Sequence, residues 1–193
     1  MSQRNTAARI MHDVGLAAWF GGSLMGAVGV NGAANDVSDA SERTRVASSG
    51  WARWTPFNAA AIGAHLLGGA VLTVSNRGRV KYQQGAGANT AIKTLVTGAA
   101  LGVTAYSRVL GNKVSEAGFV PAEGGVKPTA ATPTDVTKAQ QQLRALQWAI
   151  PGLTGTLVAL GAQQGEQQRP SQLVKGVALK AADRARSAVR PAA

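Results

Sequence analysis

Charged residues are missing from four long stretches of this chain, although Lys and Arg together number 20 and Asp and Glu number 9. The uncharged stretches are residues 14–35, 54–76, 94–107 and 145–165. An α-helix rises about 1.5 Å per residue, so about 20 apolar residues cross a hydrocarbon core of roughly 30 Å. The pattern therefore predicts four membrane-spanning helices, with the charges confined to the connections and the chain ends.

The predicted fold class is all-α, an integral membrane four-helix bundle covering residues 1–168. We expect spans at about residues 10–32, 55–76, 91–110 and 143–162. The third span must include Arg108, whose long side chain can reach the lipid headgroups from near a helix end. Pro56 suits the first turn of the second span, where a missing N–H costs nothing. Residues 111–138 contain three prolines and are expected to form an irregular exposed loop.

The distribution of cations predicts the orientation of the spans. Lys and Arg favour the cytoplasmic side of a membrane, and 12 of the 20 cations lie at the two termini or in the connection between the second and third spans. Both termini are therefore predicted to be cytoplasmic. Trp51, Trp54 and Trp148 are then expected at the outer interface, as an aromatic belt.

The remaining residues, 169–193, are predicted to form a basic amphipathic helix on the cytoplasmic leaflet. Its cations can each contribute about 1 kcal/mol near an anionic surface, which makes the anionic lipid bilayer the expected partner. The predicted lipid-surface residues are Lys175, Lys180, Arg184, Arg186 and Arg190.

Small residues recur at helical spacing in every predicted span. In lipid, apolar side chains gain little from mutual burial, so close backbone approach contributes most to helix association. The glycines predicted to pack helices together are Gly22, Gly26, Gly68, Gly98, Gly102 and Gly155. Some of these faces are also candidates for contacts within a homo-oligomer or a larger membrane complex.

The candidate functional residues are His65, His12 and Arg108. His65 lies near the middle of the second predicted span, and an ionisable group at that depth is a functional candidate by default. His12 lies near the cytoplasmic edge of the first span, about eight residues of helix, or roughly 10 Å, from the depth of His65. That separation argues against shared ligation of haem or a metal, although haem remains possible. We therefore expect no cofactor and no metal site.

Several classes of function lack the residues that they require. The chain has no cysteine, which excludes disulfides and thiolate metal sites. No nucleic-acid-binding signature accompanies the net charge of +11. Two histidines at different depths make a catalytic triad improbable, and the glycines of residues 21–26 follow no predicted strand, as a nucleotide-binding loop would. The sequence thus favours a protein that is not an enzyme.

Residues 12–22 resemble the first helix of uncharacterised small bacterial four-span membrane proteins, in which a histidine is followed seven residues later by Trp-x-Gly-Gly. Here the pattern is formed by His12, Trp19, Gly21 and Gly22. These proteins are distantly similar to copper-resistance D-type membrane domains. The resemblance implies a four-span protein of the bacterial plasma membrane. Copper handling would follow by analogy alone, and this chain departs from it with no cysteine and only three methionines.

Four functions remain open from the sequence. The leading hypothesis is a non-enzymatic integral membrane protein that serves as a structural or accessory subunit of a larger assembly. The alternatives are a haem-, quinone- or metal-binding membrane protein centred on His65, a small-solute transporter acting as an oligomer, and a soluble oligomer whose helices line an apolar tube.

Overall fold

The structure is a computed structural model that describes residues 5–77 and 86–167. The described chain is predominantly helical, which confirms the predicted all-α class. A two-stranded antiparallel hairpin lies between the last two helices. The elements are α1 (Thr6–Met25), a π-helical turn (Gly26–Val30), α2 (Asn31–Asn35), α3 (Arg43–Ser75), α4 (Ala86–Glu116), β1 (Ala122–Gly124), β2 (Lys127–Pro128) and α5 (Thr134–Gln167).

Three helical segments are long and apolar enough to cross a membrane. They are Thr6–Asn35, which contains α1, the π-helical turn and α2, then Arg43–Ser75, and Thr134–Gln163 within α5. These segments contain the first and fourth predicted spans and all of the second except residue 76. By length and composition, therefore, the described residues have the helices of a membrane protein.

The helices form two antiparallel hairpins, α1 with α3 and α4 with α5. The hairpins are joined mainly through α1 and α5, whereas α3 and α4 meet over a much smaller area. Trp19, Ala100 and Ile150 form the buried cluster where the two hairpins meet. Residues of all four long helices line the site described below.

Two predicted connections are helical in the structure. Helix α3 begins at Arg43, so Pro56 lies deep inside it and not in its first turn. Thr44 and Ala47, in the early part of α3, are buried. Their burial stabilises the part of the helix that precedes the predicted span. The predicted position of Pro56 is therefore wrong, because tertiary packing continues the helix on both sides of the proline.

The prediction of an irregular loop over residues 111–138 is wrong at both of its ends. Helix α4 continues to Glu116 and α5 starts at Thr134. Apolar residues at helical spacing on these two extensions form a buried cluster that consists of Leu110, Val114, Val136, Ala139 and Leu143. That cluster stabilises the last turns of α4 and the first turns of α5, which extend beyond the uncharged stretches of the chain.

Buried amide side chains hold the short hairpin and α2 against α5. Gln140 is fully buried, and its Nε2 donates to the backbone oxygens of Gly124 and Gly125 at 3.3 and 3.2 Å. Asn31 Nδ2 donates to Gln147 Oε1 at 2.6 Å, and both side chains are buried. Buried polar groups of this kind fix one arrangement of the elements because each needs its partner.

Two of the predicted belt tryptophans face the bundle. The rings of Trp54 and Trp51 lie directly over Gly22 and Gly26 of the first helical segment, in the space that a side chain there would occupy. Trp148, in contrast, is 56% exposed. Trp51 and Trp54 therefore pack against the first helical segment, since the glycines opposite them provide room for a large ring. The placement of the three tryptophans at the outer interface stays a prediction.

Candidate functional site

His12 and His65 lie against each other at the crossing of α1 and α3. Their ring centroids are 4.1 Å apart, with 17° between the ring planes. His12 Nδ1 is 3.0 Å from the backbone oxygen of His65, and His65 Nδ1 is 3.0 Å from the backbone oxygen of His12. The expected separation of roughly 10 Å in depth is wrong. Helix α3 starts 12 residues earlier than the predicted span, so His65 lies in the last third of its helix and not at the middle.

A repeated sequence pattern explains how the two helices come so close. Ala8, His12 and Gly15 on α1 have the same spacing as Ala61, His65 and Gly68 on α3. A Cβ on Gly15 would lie less than 3 Å from the Ala61 oxygen and the His65 nitrogen, and a Cβ on Gly68 would lie less than 3 Å from the Ala8 oxygen and the His12 nitrogen. The contact is therefore reciprocal, with a local two-fold relation between the helices.

The two hydrogen bonds determine which ring nitrogens stay available. A backbone carbonyl only accepts, so Nδ1 of each ring must carry the proton and donate it. In the neutral rings, Nε2 of His12 and of His65 then has a lone pair for contacts outside the pair. A histidine fixed in this way by a carbonyl is oriented to bind a further group through its other nitrogen.

Trp19 covers the pair on the side of the bundle core. Its ring meets His65 edge-on at a centroid distance of 6.3 Å, and it is fully buried. Its Nε1 has no hydrogen-bond partner within the described ranges. His65 is only 2% exposed, whereas His12 is half-buried. The site thus has a rigid apolar back wall and one ring that is more open than the other.

A cleft of about 950 Å³ adjoins the histidine pair and is lined by all four long helices. Its polar wall lies near the start of α1, the end of α3 and the start of α4. Its apolar wall is formed by the last part of α5, which lies beside the start of α4 because the two helices are antiparallel, and by α4 beyond Lys93. The polar lining includes Arg9, Asp13, Asn76, Thr90, Lys93 and Thr97. The apolar lining includes Leu16, Gly98, Leu101, Leu157, Val158 and Gly161.

The charges of this cleft lie close together. Lys93 is near enough to Asp13 for their opposite charges to attract, and near enough to Arg9 for their like charges to repel. Lys93 and Asp13 also act electrostatically on His65. Among the described residues, the charged side chains that line the cleft are Arg9, Asp13 and Lys93.

The geometry gives metal or haem ligation little support. Residues 5–77 and 86–167 contain no group of three or more His, Asp or Glu side chains suited to one metal ion. Two axial histidines of a haem direct their ring nitrogens at one iron from opposite sides, whereas these rings lie face to face. The arrangement is better suited to hydrogen bonding with a ligand beside the pair.

The other predicted site residues are distributed around the bundle. Arg108 is exposed on α4 and does not line the cleft. Gly155 faces the ring of Phe20, and a Cβ added at Gly155 would lie 3.2 Å from the nearest ring carbon. Gly98 and Gly102 were expected to pack, yet a Cβ on either would meet no atom of the described chain within 4 Å. The predicted lipid-surface cations of residues 169–193 lie outside the described residues.

Sequence reasoning missed two features of the site. It did not use the repeat of Ala, His and Gly at identical spacing in the first two spans, which indicates a reciprocal helix crossing. It also counted Lys93 among the cations of the connection between the second and third spans, whereas the structure places this residue inside α4 and in the wall of the cleft. The sequence feature that could have identified this wall is the four-residue spacing of Lys93, Thr97 and Leu101, which puts them on one helix face.

No protein family, curated protein or solved structure matches this chain. The resemblance to small four-span membrane proteins therefore stays a prediction. Within the structure, His12, Trp19 and Gly22 of that motif all contact residues of α3. The motif here is thus a helix-packing surface that ends at the histidine pair.

Proposed function

We propose that this chain is a non-enzymatic integral membrane protein of four spans that holds a small amphiphilic ligand in the cleft beside His12 and His65. The cleft itself carries the proposal. Its volume of about 950 Å³ is near the upper end of the range for small-molecule sites. Its lining combines an apolar wall with a few polar groups, which is the usual composition of such sites.

The packing of α4 supports its assignment as the third of the four spans. Helix α4 lies along α5, and its Ala100 is fully buried beside Trp19 and Ile150. Residues 94–107 of α4 carry no charge. Four spans place both termini on one side, and the excess of cations there favours the cytoplasm of a bacterial cell. The part of the cleft near the start of α1 then lies toward the cytoplasmic side.

The contacts of the histidines favour binding over catalysis. Each ring uses Nδ1 to hold the opposite helix, so the pair is a fixed structural element. Within the described residues it also has no serine or cysteine nucleophile beside it in the cleft lining. A rigid pair with two remaining ring nitrogens is suited to orienting a bound molecule.

A substitution that fills the cleft tests this proposal. Gly98→Leu adds a side chain at a position that lines the cleft, with open space around its Cβ. Gly102→Leu is the matched control, because it has the same open surroundings one turn further along α4 but lies outside the cleft lining. We expect the wild-type protein and Gly102→Leu to retain a small molecule in native mass spectrometry after extraction in mild detergent. Gly98→Leu should lose most of it.

The outcome that contradicts the proposal is also clear. If the wild-type protein carries no bound molecule, or if Gly98→Leu retains as much as Gly102→Leu, the cleft is not the binding site.

A role as an accessory subunit remains the second candidate. It is supported by small residues that face outward without a packing partner in the described chain, such as Gly102 and Gly152. Such positions permit close approach of a helix from another subunit. Size analysis of the detergent-extracted protein tests this role, and a monomer that purifies without any partner would count against it.

A further inference from the structure

We infer that the ligand of this cleft carries a hydroxyl group that donates a hydrogen bond to the histidine pair, principally to His12, as a lipophilic alcohol or phenol does. The inference rests on the proposed function and deepens it by naming the group that the site recognises. It follows from the hydrogen bonds that side chains of the cleft lining already make, because these bonds leave acceptors available to a ligand.

The histidine pair presents two hydrogen-bond acceptors. Nδ1 of His12 and Nδ1 of His65 each donate to the backbone oxygen of the opposite histidine. With its proton on Nδ1, a neutral ring can only accept at Nε2, which lies on a different edge of the ring. Both histidines line the cleft. His12 is half-buried whereas His65 is 2% exposed, so His12 is the more accessible acceptor.

Two threonines of the cleft lining also present acceptors. Thr73 Oγ1 donates to the Gly69 oxygen of its own helix at 2.8 Å. Thr94 Oγ1 donates to the Thr90 oxygen of its own helix at 2.9 Å. Each hydroxyl has a single proton, which this bond occupies, and its oxygen keeps a lone pair for another donor. The two threonines line the cleft from α3 and α4 and, like the histidines, favour a ligand that brings its own donor.

A hydroxyl also suits the charged side chains of the lining, which are Arg9, Asp13 and Lys93 among the described residues. It can donate one hydrogen bond and accept others, so it can bind beside a cation or a carboxylate. It brings no charge into a cleft with an apolar wall, where burying a charge is costly. A ketone, an ester or an ionised carboxylate only accepts, so none of these groups can bind Nε2 of a neutral ring.

NMR of the histidine nitrogens tests the inference. The chain contains two histidines, so ¹⁵N-histidine labelling of the full-length protein, purified without a histidine tag and placed in lipid nanodiscs, reports on this site alone. The added compounds form two matched pairs, para-octylphenol with para-octylanisole, and dodecanol with dodecyl methyl ether. Methylation removes the hydroxyl proton in each pair and keeps the oxygen and the alkyl chain.

The hydroxyl compounds and their ethers should behave differently. At about pH 8, where histidine is ordinarily neutral, we expect both rings to be protonated at Nδ1 before any addition. The phenol or the alcohol should then shift the Nε2 resonance of His12, and its ether should not. The hydroxyl compound should also bind about tenfold more tightly than its ether, as expected for one lost hydrogen bond. The pair with the larger difference identifies the hydroxyl as phenolic or aliphatic.

His12→Asn connects this preference to the pair. The amide N–H of asparagine can replace Nδ1 as the donor to the His65 oxygen, but asparagine has no atom in place of Nε2. The variant should therefore bind the hydroxyl compound and its ether with nearly equal affinity. If this variant does not fold, the Nε2 shift in the wild-type protein still decides the question.

The failures of the two proposals are distinguishable. An unshifted Nε2 with both hydroxyl compounds, equal affinities within both pairs, or an unchanged preference in His12→Asn would overturn the hydroxyl and leave the binding cleft in place. Binding of these compounds that Gly98→Leu reduces no more than Gly102→Leu would overturn both the inference and the cleft.

Discussion

Replacing Gly15 or Gly68 by alanine is expected to lower the free energy of unfolding by about 1–3 kcal/mol, the usual cost of overpacking a tight contact. Each new methyl group would lie less than 3 Å from backbone atoms of the opposite helix. Backbone atoms cannot rotate away as a flexible side chain can, so α1 and α3 must move apart. That movement also lengthens both hydrogen bonds of the histidine pair.

Gly102→Ala provides the control for this prediction. A Cβ at Gly102 meets no atom of the described chain within 4 Å, so alanine there should be neutral or stabilise α4 by up to about 1 kcal/mol through its helix propensity. The measurement is reversible unfolding in mixed detergent micelles, followed by circular dichroism. Equal stabilities of Gly15→Ala, Gly68→Ala and Gly102→Ala would refute the close crossing of the helices.

The second large effect is expected for His65→Ala. This change removes a ring that is only 2% exposed, its stacking on His12 and its hydrogen bond to the opposite backbone. By analogy with other large-to-small core substitutions, we expect a loss of about 2–5 kcal/mol. His12→Ala should cost less, because His12 is half-buried and leaves a smaller cavity.

A double-mutant cycle measures the interaction free energy between His12 and His65 separately from their contacts with other residues. The stabilities of His12→Ala, His65→Ala and the double variant should be non-additive by about 0.5–3 kcal/mol, as for residues in direct contact. His65→Phe should recover part of the packing but not the hydrogen bond. Additive effects, or wild-type stability of His65→Ala, would show that the two rings do not form the contact described.

The uncharged stretches of the sequence predict the long helices well, because excluding charge from about 20 residues is a strong and local signal. They do not predict where each helix ends. Charged residues such as Arg43 and Arg45 were expected in a connection, yet their neighbours Thr44 and Ala47 bury against other elements. Helix ends outside the apolar stretch are decided by tertiary packing, which local composition does not record.

The same difficulty explains the misplaced histidines. Depth was inferred from the limits of the uncharged stretches, so His65 was placed at the middle of a span that begins near residue 55. Once α3 begins at Arg43, the level of each residue depends on how the helices slide past each other. Gly15 and Gly68 fix that register through backbone contacts. Their pairing is a property of two segments 53 residues apart and is visible in the sequence only as a repeat.

The cleft itself could not be predicted from the sequence. It is lined by four helices that are distant in the sequence, two of which, α3 and α4, contact each other only slightly. No single residue encodes such an arrangement. Lys93 is charged, as residues of a connection usually are, but it lies within α4 because the helix starts at Ala86. Gly98, which was predicted to pack helices together, has open space beside it within the described chain.

Cysteine labelling in membrane vesicles tests the central claim most directly, namely that a membrane-embedded cleft opens to the cytoplasm beside the histidine pair. The chain contains no native cysteine, so single cysteines can be introduced without a background. Thr97→Cys lies in the lining of the cleft, whereas Ala99→Cys lies two residues away on α4, exposed and outside that lining. A membrane-impermeant maleimide should label Thr97→Cys in inverted vesicles but not in right-side-out vesicles, and it should label Ala99→Cys in neither. Equal labelling of the two positions, or labelling of Thr97→Cys from the outer side alone, would contradict the account.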